Sequence, residues 1–249
     1  MPDTMNLKER LTEHYEKAFA ESRDTFSEVP NSADEGPANP LLISPPQNYD
    51  GSTLKVMYFG QETDGWEGSF QDSEGVQHLL RVYEGFANQG RSRQYGKHFW
   101  NALHRFDKAF SAIDSSTSFT WNNIIKVGRS CRKGTPSESV LRWQDNWFKV
   151  LKEEVRILQP NVIIFLTGPN YDKYIKKALG PFTLEPIGNR TDRQLARVKC
   201  DGLPEAAFRT YHPNYLWRNG FYDYLGDIIT EFQRIRMDTR SATSISSEC

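Results

Sequence analysis

Apolar and polar positions along the chain predict strands that alternate with helices. The apolar runs that predict buried strands are 54–60 (LKVMYFG), 119–127 (FTWNNIIKV) and 161–168 (NVIIFLTG). Between them, 98–110 (HFWNALHRFDKAF) and 137–158 (SESVLRWQDNWFKVLKEEVRIL) carry apolar residues at helical spacing, and an N-cap pattern opens the second. Strands that alternate with helices predict a parallel sheet.

Further elements are predicted on either side of this core. Residues 5–20 predict a polar-rich helix, and a Pro/Ser/Asp/Gly-rich linker or wrapping segment follows at 27–40. Later segments predict strands at 181–187, 195–200 and 206–213, and a last helix from Leu216 to about Ile235. We therefore expect a single three-layer α-β-α domain with a central, mainly parallel sheet at 40–237. The N-terminal helix and linker occupy 1–39, and a disordered tail is expected at 238–249.

Composition limits the class of protein. With 249 residues, 37% of them hydrophobic, the chain can bury a substantial core. Its three cysteines, Cys131, Cys200 and Cys249, lack CxxC spacing, which argues against a disulfide framework and a cysteine-built metal site. The N-terminus has no apolar signal core, and the aliphatic run VIIFL is too short to span a bilayer. We expect a soluble, cytoplasmic monomer without metal or cofactor.

The net charge of −1 gives no general signal for nucleic acid, but basic residues cluster locally. The three clusters are Arg91, Arg93 and Lys97; Arg129, Arg132 and Lys133; and Arg190, Arg193 and Arg197. Each cluster is either an ordinary solvated loop or a phosphate-binding surface.

Chemically distinctive residues follow the predicted strands. Ligands of an open parallel sheet bind at the carboxyl ends of its strands. Glu62 follows the first strand, Asn123 lies in the second, and His212 follows the last. The chain contains no GxGxxG, GxxxxGK[ST] or serine nucleophile elbow, which argues against dinucleotide enzymes, P-loop NTPases and serine hydrolases of that type. A carboxylate, an amide and a histidine are the groups needed to hydrolyse a bond to a heteroaromatic leaving group.

These motifs, in the same chain order, resemble the landmarks of the uracil-DNA glycosylase superfamily. The matching segments are Glu62 in FGQETDG, Asn123 in WNNIIKV, the strand VIIFLTG and His212 in YHPNYLWR, together with the helix HFWNALHRF. The similarity covers roughly residues 40–235. Each motif is weak alone, but four of them in register with predicted strand ends form a specific pattern.

The resemblance implies a role for each matching residue. Gln61 and Glu62 match the turn that contacts the base and activates water, and Asn123 matches the amide that recognises the base edge. His212 matches the histidine that stabilises the expelled base, and Leu216 lies where the family has a leucine that wedges into the duplex.

The sequence also departs from the family pattern. The acid is Glu rather than Asp, and Thr63 replaces the usual Pro. Asp64, with Gly65 beside it, stands where the strict uracil branch has a tyrosine that rejects thymine's methyl group. The HPxxLxR pattern is nearest to the iron-sulfur branch, whose cysteines are missing here. We therefore expect room for a pyrimidine modified at C5, including modified cytosines of phage DNA, unless Trp66 closes the gap.

The resulting prediction is a monofunctional DNA glycosylase, with DNA as its partner and no cofactor. The predicted catalytic residues are Glu62, His212 and Asp64, the predicted base-binding residues are Gln61, Asn123, Phe70 and Tyr95, and the predicted DNA contacts are Arg129, Arg132, Lys133, Tyr215, Leu216 and Arg218.

Several alternatives stay open. Asn122 could replace Asn123, and Tyr215, Leu216 and Trp217 could simply begin the core face of the last helix. The enzyme could instead be an N-glycosidase of free nucleosides or nucleotides, or the chain could be a catalytically silent base sensor.

Overall fold

The computed structural model describes residues 5–25, 29, 36–70, 73–95, 98–130 and 133–246, with side chains described as far as residue 241. Four residues named above, Lys97, Cys131, Arg132 and Cys249, lie outside the described residues or side chains.

A six-stranded sheet forms the centre of the domain. Its strands are β1 Leu54–Gly60, β2 Thr117–Asn123, β3 Val162–Leu166, β4 Thr183–Pro186, β5 Leu195–Lys199 and β6 Ala206–Thr210. Their order across the sheet is β2-β1-β3-β6-β5-β4. The first four strands in this order pair in parallel, whereas β5 and β4 are antiparallel at the far edge. This topology confirms the predicted mainly parallel sheet.

Helices flank the sheet. They are α1 Leu7–Arg23, α2 Val76–Tyr83, α3 His98–Ile113, α4 Glu138–Trp147, α5 Leu151–Leu158, α6 Asp172–Leu179, α7 Pro213–Arg218 and α8 Phe221–Ser246. One group contains α1, which contacts α2, α4 and α5, and another contains α3, α7 and α8. Helices that cover the sheet explain why β3 and β6 are buried at every residue. No helix in the described part of the chain is both long and apolar enough to cross a membrane.

The segment before β1 packs closely on the domain. Ala38 and Leu41 donate backbone hydrogen bonds to Gly128 and Lys126, and Leu41 is fully buried. The end of the predicted linker therefore wraps around the loop that follows β2.

Both long predicted helices are interrupted. Phe148 leaves helical geometry after α4, and its buried ring stacks on Trp143, so packing of this ring ends the helix. Near the C-terminus, Gly220 adopts a φ of +88° between α7 and α8. Such a left-handed conformation favours glycine and ends a helix.

One further prediction needs correction, and two elements were not predicted. Helix α8 continues to Ser246, so most of the segment predicted to be disordered is helical. Arg234 pairs with Glu231 and Asp238 at helical spacing, which supports this extension. In addition, α2 and the π-helical turn Glu84–Asn88 that follows it were not predicted.

Candidate active site

A cavity of about 870 Å³ opens at the carboxyl ends of β1, β2 and β6. The predicted site residues that line it are Gln61, Glu62, Asp64, Tyr95, Asn123, Lys133 and His212. Residues from three separate strand ends therefore meet at one cavity, as expected for a parallel sheet.

Gly60 allows the end of β2 to approach the end of β1. A Cβ atom at Gly60 would lie 2.3 Å from Oδ1 of Asn123 and 3.1 Å from the ring of Phe99. The missing side chain leaves space for the Asn123 amide beside the strand end.

Asn123 is buried, yet its Nδ2 has no hydrogen-bond partner among the described residues. The neighbouring Asn122 is fully engaged, because its Nδ2 donates to Glu154 at 2.7 Å and its Oδ1 accepts from the Asn123 backbone at 2.8 Å. A buried amide donor without a partner carries a free-energy cost that a ligand can remove. Asn123 is therefore the asparagine available to a base.

Glu62 lies partly buried at the cavity wall. Its Oε2 accepts a hydrogen bond from the hydroxyl of Tyr171. Burial raises the pKa of Glu62 above its usual value, the hydrogen bond from Tyr171 opposes this rise, and the nearby Asp64 charge adds to it. The carboxylate thus faces the cavity in an environment that makes it more basic than in water.

His212 is neutral and presents one defined donor. It is the N-cap residue of α7, where its Nδ1 accepts a hydrogen bond from the backbone of Asn214 at 3.2 Å. Nδ1 therefore carries no proton, which places the ring proton on Nε2. Burial lowers the pKa of His212 to about 4, so the imidazole is uncharged at neutral pH. Its ring stacks on Phe99 with centroids 5.7 Å apart.

Asp64 and Gln61 occupy less central positions. Asp64 is exposed at the cavity rim, and its carboxylate lies 3.4 Å from Nζ of Lys133. The side chain of Gln61 donates to the backbone carbonyl of Thr167 at 2.7 Å and so connects the turns after β1 and β3. Only its backbone remains for a base contact of the kind that the resemblance implies.

Phe70 does not line the cavity. It is buried, and its ring contacts Phe19 and Trp143 on the side where α1 and α4 pack. The prediction that Phe70 stacks on a base is therefore wrong, because the turn after Asp64 directs this ring into the core. Tyr95 is 47% exposed and does line the cavity.

The sequence interpretation missed most of the aromatic wall. This wall is formed by Trp66, Phe86, Phe99, Trp100 and Trp121. Phe99 and Trp100 lie in α3 and Phe86 in the turn after α2, so their apolar positions resemble ordinary core positions in the sequence. Only Trp66, after β1, and Trp121, in β2, lie near predicted strand ends.

Trp66 belongs to the aromatic wall. Its ring packs edge-on against Phe86 and Trp121, with centroids 5.6 and 5.7 Å away. The buried indole N–H groups of Trp66 and Trp121 have no partner among the described residues. Two edge-on ring contacts therefore hold Trp66 in the wall of the cavity.

The predicted DNA contacts differ in exposure. Leu216 is fully buried, so its predicted role as a duplex wedge is wrong; its side chain belongs to the core of α7. Tyr215 is 38% exposed, and the exposed Arg218 donates to the backbone of Asn214. These two side chains remain accessible beside His212.

The basic clusters also differ. Lys133 is exposed at the rim, and the backbone of Arg129 forms bridges with Pro37 and Asp64. In the third cluster, Arg190 pairs with Asp227, and Arg197 pairs with Glu185 of β4 and with Glu205, directly before β6. The side chains of Arg190 and Arg197 in this cluster therefore have structural partners.

The described residues contain no group of three or more His, Cys, Asp and Glu side chains placed to hold a metal ion. The cavity instead offers a carboxylate, a neutral imidazole donor and a free amide donor within aromatic walls. This combination suits hydrolysis of a bond to a planar, heteroaromatic group.

Comparison with known proteins agrees with this chemistry. None of the curated proteins matches the chain. The family model described as the uracil DNA glycosylase superfamily matches residues 50–233, a region that contains every strand and all of the cavity groups described above. The chain therefore belongs to the uracil DNA glycosylase superfamily.

Proposed function

We propose that the protein is a monofunctional DNA glycosylase that flips a uracil-like or C5-modified pyrimidine out of DNA and hydrolyses its N-glycosidic bond. Superfamily membership indicates a DNA glycosylase in general. The observation that carries the specific proposal is the meeting of Glu62, Asn123 and His212 at one cavity, with the Asn123 amide buried and unpaired.

In the proposed reaction the bond between C1′ of the sugar and the base nitrogen breaks, and its electron pair leaves with the base. The ionised Glu62 stabilises the positive charge that develops on the sugar and orients a water molecule toward C1′. The water oxygen bonds to C1′, and its proton passes to the carboxylate and then to solvent.

The leaving base becomes anionic, and two donors are available to it. The Nε2–H group of His212 donates to a carbonyl oxygen that gains charge as the bond breaks. The Nδ2 group of Asn123 donates to an acceptor on the base edge. Because His212 is neutral, it acts as a hydrogen-bond donor rather than as a full proton donor.

Cavity size supports a base larger than uracil. A volume of about 870 Å³ lies near the upper end of the range for small-molecule pockets. The exposed Asp64 stands where a bulky tyrosine would exclude C5 substituents, and Trp66 is packed into the wall. A wide cavity with an exposed carboxylate at its rim suits a pyrimidine that carries a polar C5 substituent. Modified cytosines of phage DNA are such bases, so we propose an antiviral role.

DNA would lie across the mouth of the cavity. Arg129, Arg132, Lys133 and Arg218 would contact phosphates, and Tyr215 replaces Leu216 as the side chain exposed enough to enter the base stack.

The test is release of bases from duplex DNA that carries uracil, 5-hydroxymethyluracil or glucosylated hydroxymethylcytosine. Abasic sites are scored by alkaline strand cleavage, with Glu62→Gln as the inactive variant. Glu67→Gln is the matched control, because Glu67 also lines the cavity but its carboxylate lies 3.1 Å from Nε2 of His78. We expect release of C5-modified bases by the wild type and by the control.

Three outcomes would contradict parts of the proposal. Release of uracil alone, unaffected by Asp64→Tyr, would refute the open-pocket specificity. Activity only on free nucleosides would indicate a small-molecule N-glycosidase, and binding without release would indicate a base sensor.

A further inference from the structure

Glu62 is anchored by Tyr171, a residue that does not line the cavity. Tyr171 ends the short 3₁₀ turn Pro169–Tyr171 after β3, is only 9% exposed, and donates its hydroxyl proton to Oε2 of Glu62. Oγ1 of Thr135, in the loop before α4, lies 3.3 Å from the same hydroxyl. Because the Tyr171 proton points to Glu62, Thr135 must be the donor in the second bond.

The contact leaves the two carboxylate oxygens of Glu62 in different states. Oε2 is occupied by Tyr171, whereas no hydrogen-bond donor among the described residues reaches Oε1. A carboxylate that is anchored through one oxygen has a defined orientation and keeps the other oxygen for a ligand or water.

We propose that Tyr171 is a positioning residue that fixes the orientation of Glu62 and keeps its carboxylate ionised for water activation, with Thr135 orienting the phenol. The inference deepens the proposed function and rests on it for the role of the water. It brings a fourth strand end, that of β3, into the site.

The charges around Glu62 show how the Tyr171 phenol affects the protonation of this carboxyl group. Asp64 faces Glu62 from the same turn, Lys133 pairs with Asp64 from the loop after β2, and His212 faces the cavity as a neutral ring. Burial and Asp64 both raise the pKa of Glu62, and the hydrogen bond from Tyr171 is the interaction that lowers it. Without the phenol, the pKa of Glu62 would be higher, and more of its carboxyl group would be protonated at a given pH.

The decisive experiment is a direct titration of Glu62 in the free protein. The side-chain carboxyl carbon is followed by NMR after labelling with ¹³C-glutamate, and Glu62→Gln identifies the signal. We expect Tyr171→Phe to raise the pKa of Glu62 by about one unit, the size of a hydrogen bond to a charged group. Tyr174→Phe is the matched control, because this neighbouring ring packs on Tyr171 and has no hydrogen bond to Glu62 in the structure.

The pH profile of base release provides the second readout. We expect the acid limb of the Tyr171→Phe profile to move to higher pH by the same amount, with a lower plateau because the carboxylate is less well oriented. Thr135→Val should shift the titration in the same direction by less, and it tests the inference should Tyr171→Phe fold poorly.

An unchanged pKa of Glu62 in both variants would overturn the inference. The titration needs no substrate, so it remains decisive even if the wild type releases no base, a result that would refute the proposed function instead.

Discussion

A fully buried polar region and a partly buried one lie side by side at the end of β2 and differ in how completely their groups are paired. The first, here called the ion-pair network, consists of Tyr15, Asn122, Lys126 and Glu154. The second consists of the cavity groups Glu62, Asn123 and His212. In the network, Glu154 accepts from Tyr15 at 2.5 Å, from Lys126 at 2.8 Å and from Asn122 at 2.7 Å. At the cavity, Glu62 accepts from one donor within the described part of the chain, Tyr171.

The contrast indicates what each region does. Every member of the ion-pair network has partners from other elements, so it fastens α1 and α5 to the sheet and offers nothing to a ligand. The cavity groups keep an unpaired amide and an open carboxylate oxygen, which costs stability and is useful only when a ligand binds. Asn122 and Asn123 are adjacent in sequence, yet Asn122 belongs to the ion-pair network and Asn123 to the cavity groups.

The largest effect is expected for the ion-pair network. Glu154→Gln would leave the Lys126 ammonium buried without a counter-charge and should lower the free energy of unfolding by about 3–5 kcal/mol. The double variant Lys126→Met with Glu154→Leu should recover much of this loss, because no charge then remains buried. Urea denaturation measures both values. A loss below about 1 kcal/mol in Glu154→Gln would show that the pair is not buried as described.

Glu62→Gln should impair catalysis rather than stability. Turnover should fall roughly 100-fold or more while DNA binding survives, because the charge that stabilises the transition state is lost. Since the folded-state pKa of Glu62 is raised, its ionised form destabilises the fold as pH rises through that pKa. The variant should therefore unfold at a higher temperature than the wild type at pH 7. Normal turnover would remove Glu62 from the mechanism.

His212 should make stability depend on pH. The folded pKa of about 4 lies below the ordinary value of 6.5, so the unfolded chain binds more protons as pH falls between these values. The free energy of unfolding should decrease by about 2 kcal/mol over this interval, allowing for partial exposure of the ring. His212→Asn retains an N-cap acceptor and should reduce the dependence of the free energy of unfolding on pH. Burial also lowers the pKa of His104, so part of this pH dependence should remain in the variant. An unaltered slope in the variant would contradict the burial of a neutral imidazole.

The two asparagines provide the closest matched pair. Asn123→Ala should reduce kcat/KM roughly 10-fold or more with little change in stability, because it removes a donor that pairs with no described residue of the free protein. Asn122→Ala should lower the free energy of unfolding by about 1–3 kcal/mol, because it leaves buried partners unpaired. Steady-state kinetics and denaturation separate the two effects. If both variants changed kcat/KM and the free energy of unfolding equally, the distinction between the ion-pair network and the cavity groups would be wrong.

The smallest effect is expected at the rim. Lys133→Ala should weaken DNA binding at all sequences and reduce the salt dependence of the affinity by about one phosphate contact. Lys177→Ala is a suitable control, because this exposed lysine pairs with Asp145 between α4 and α6. DNA affinity is measured at several salt concentrations. A phosphate contact predicts a smaller salt dependence in Lys133→Ala, whereas a solvated lysine predicts no change.

Much of the architecture could be predicted because apolar runs of strand length indicate strands buried on both faces. The strand ends at Gly60 and Asn123 determined where Glu62 and the asparagines would lie, since parallel strands place their carboxyl ends at one edge. Helix boundaries were less predictable. The end of α4 depends on how the Phe148 ring packs against Trp143, a contact that local sequence does not reveal.

The sequence by itself determined the sheet, the turn that carries Glu62 and the place of His212 near the end of the last strand. Only the tertiary structure decided that Leu216 is buried while Tyr215 is exposed, that Phe70 packs in the core, and that Asn123 rather than Asn122 faces the cavity. It also decided that Tyr171 reaches Glu62 across 109 positions of the chain. The physical reason is that periodicity specifies which face of an element is buried, whereas the pairing of individual polar atoms depends on side chains from distant elements that meet only in the folded protein.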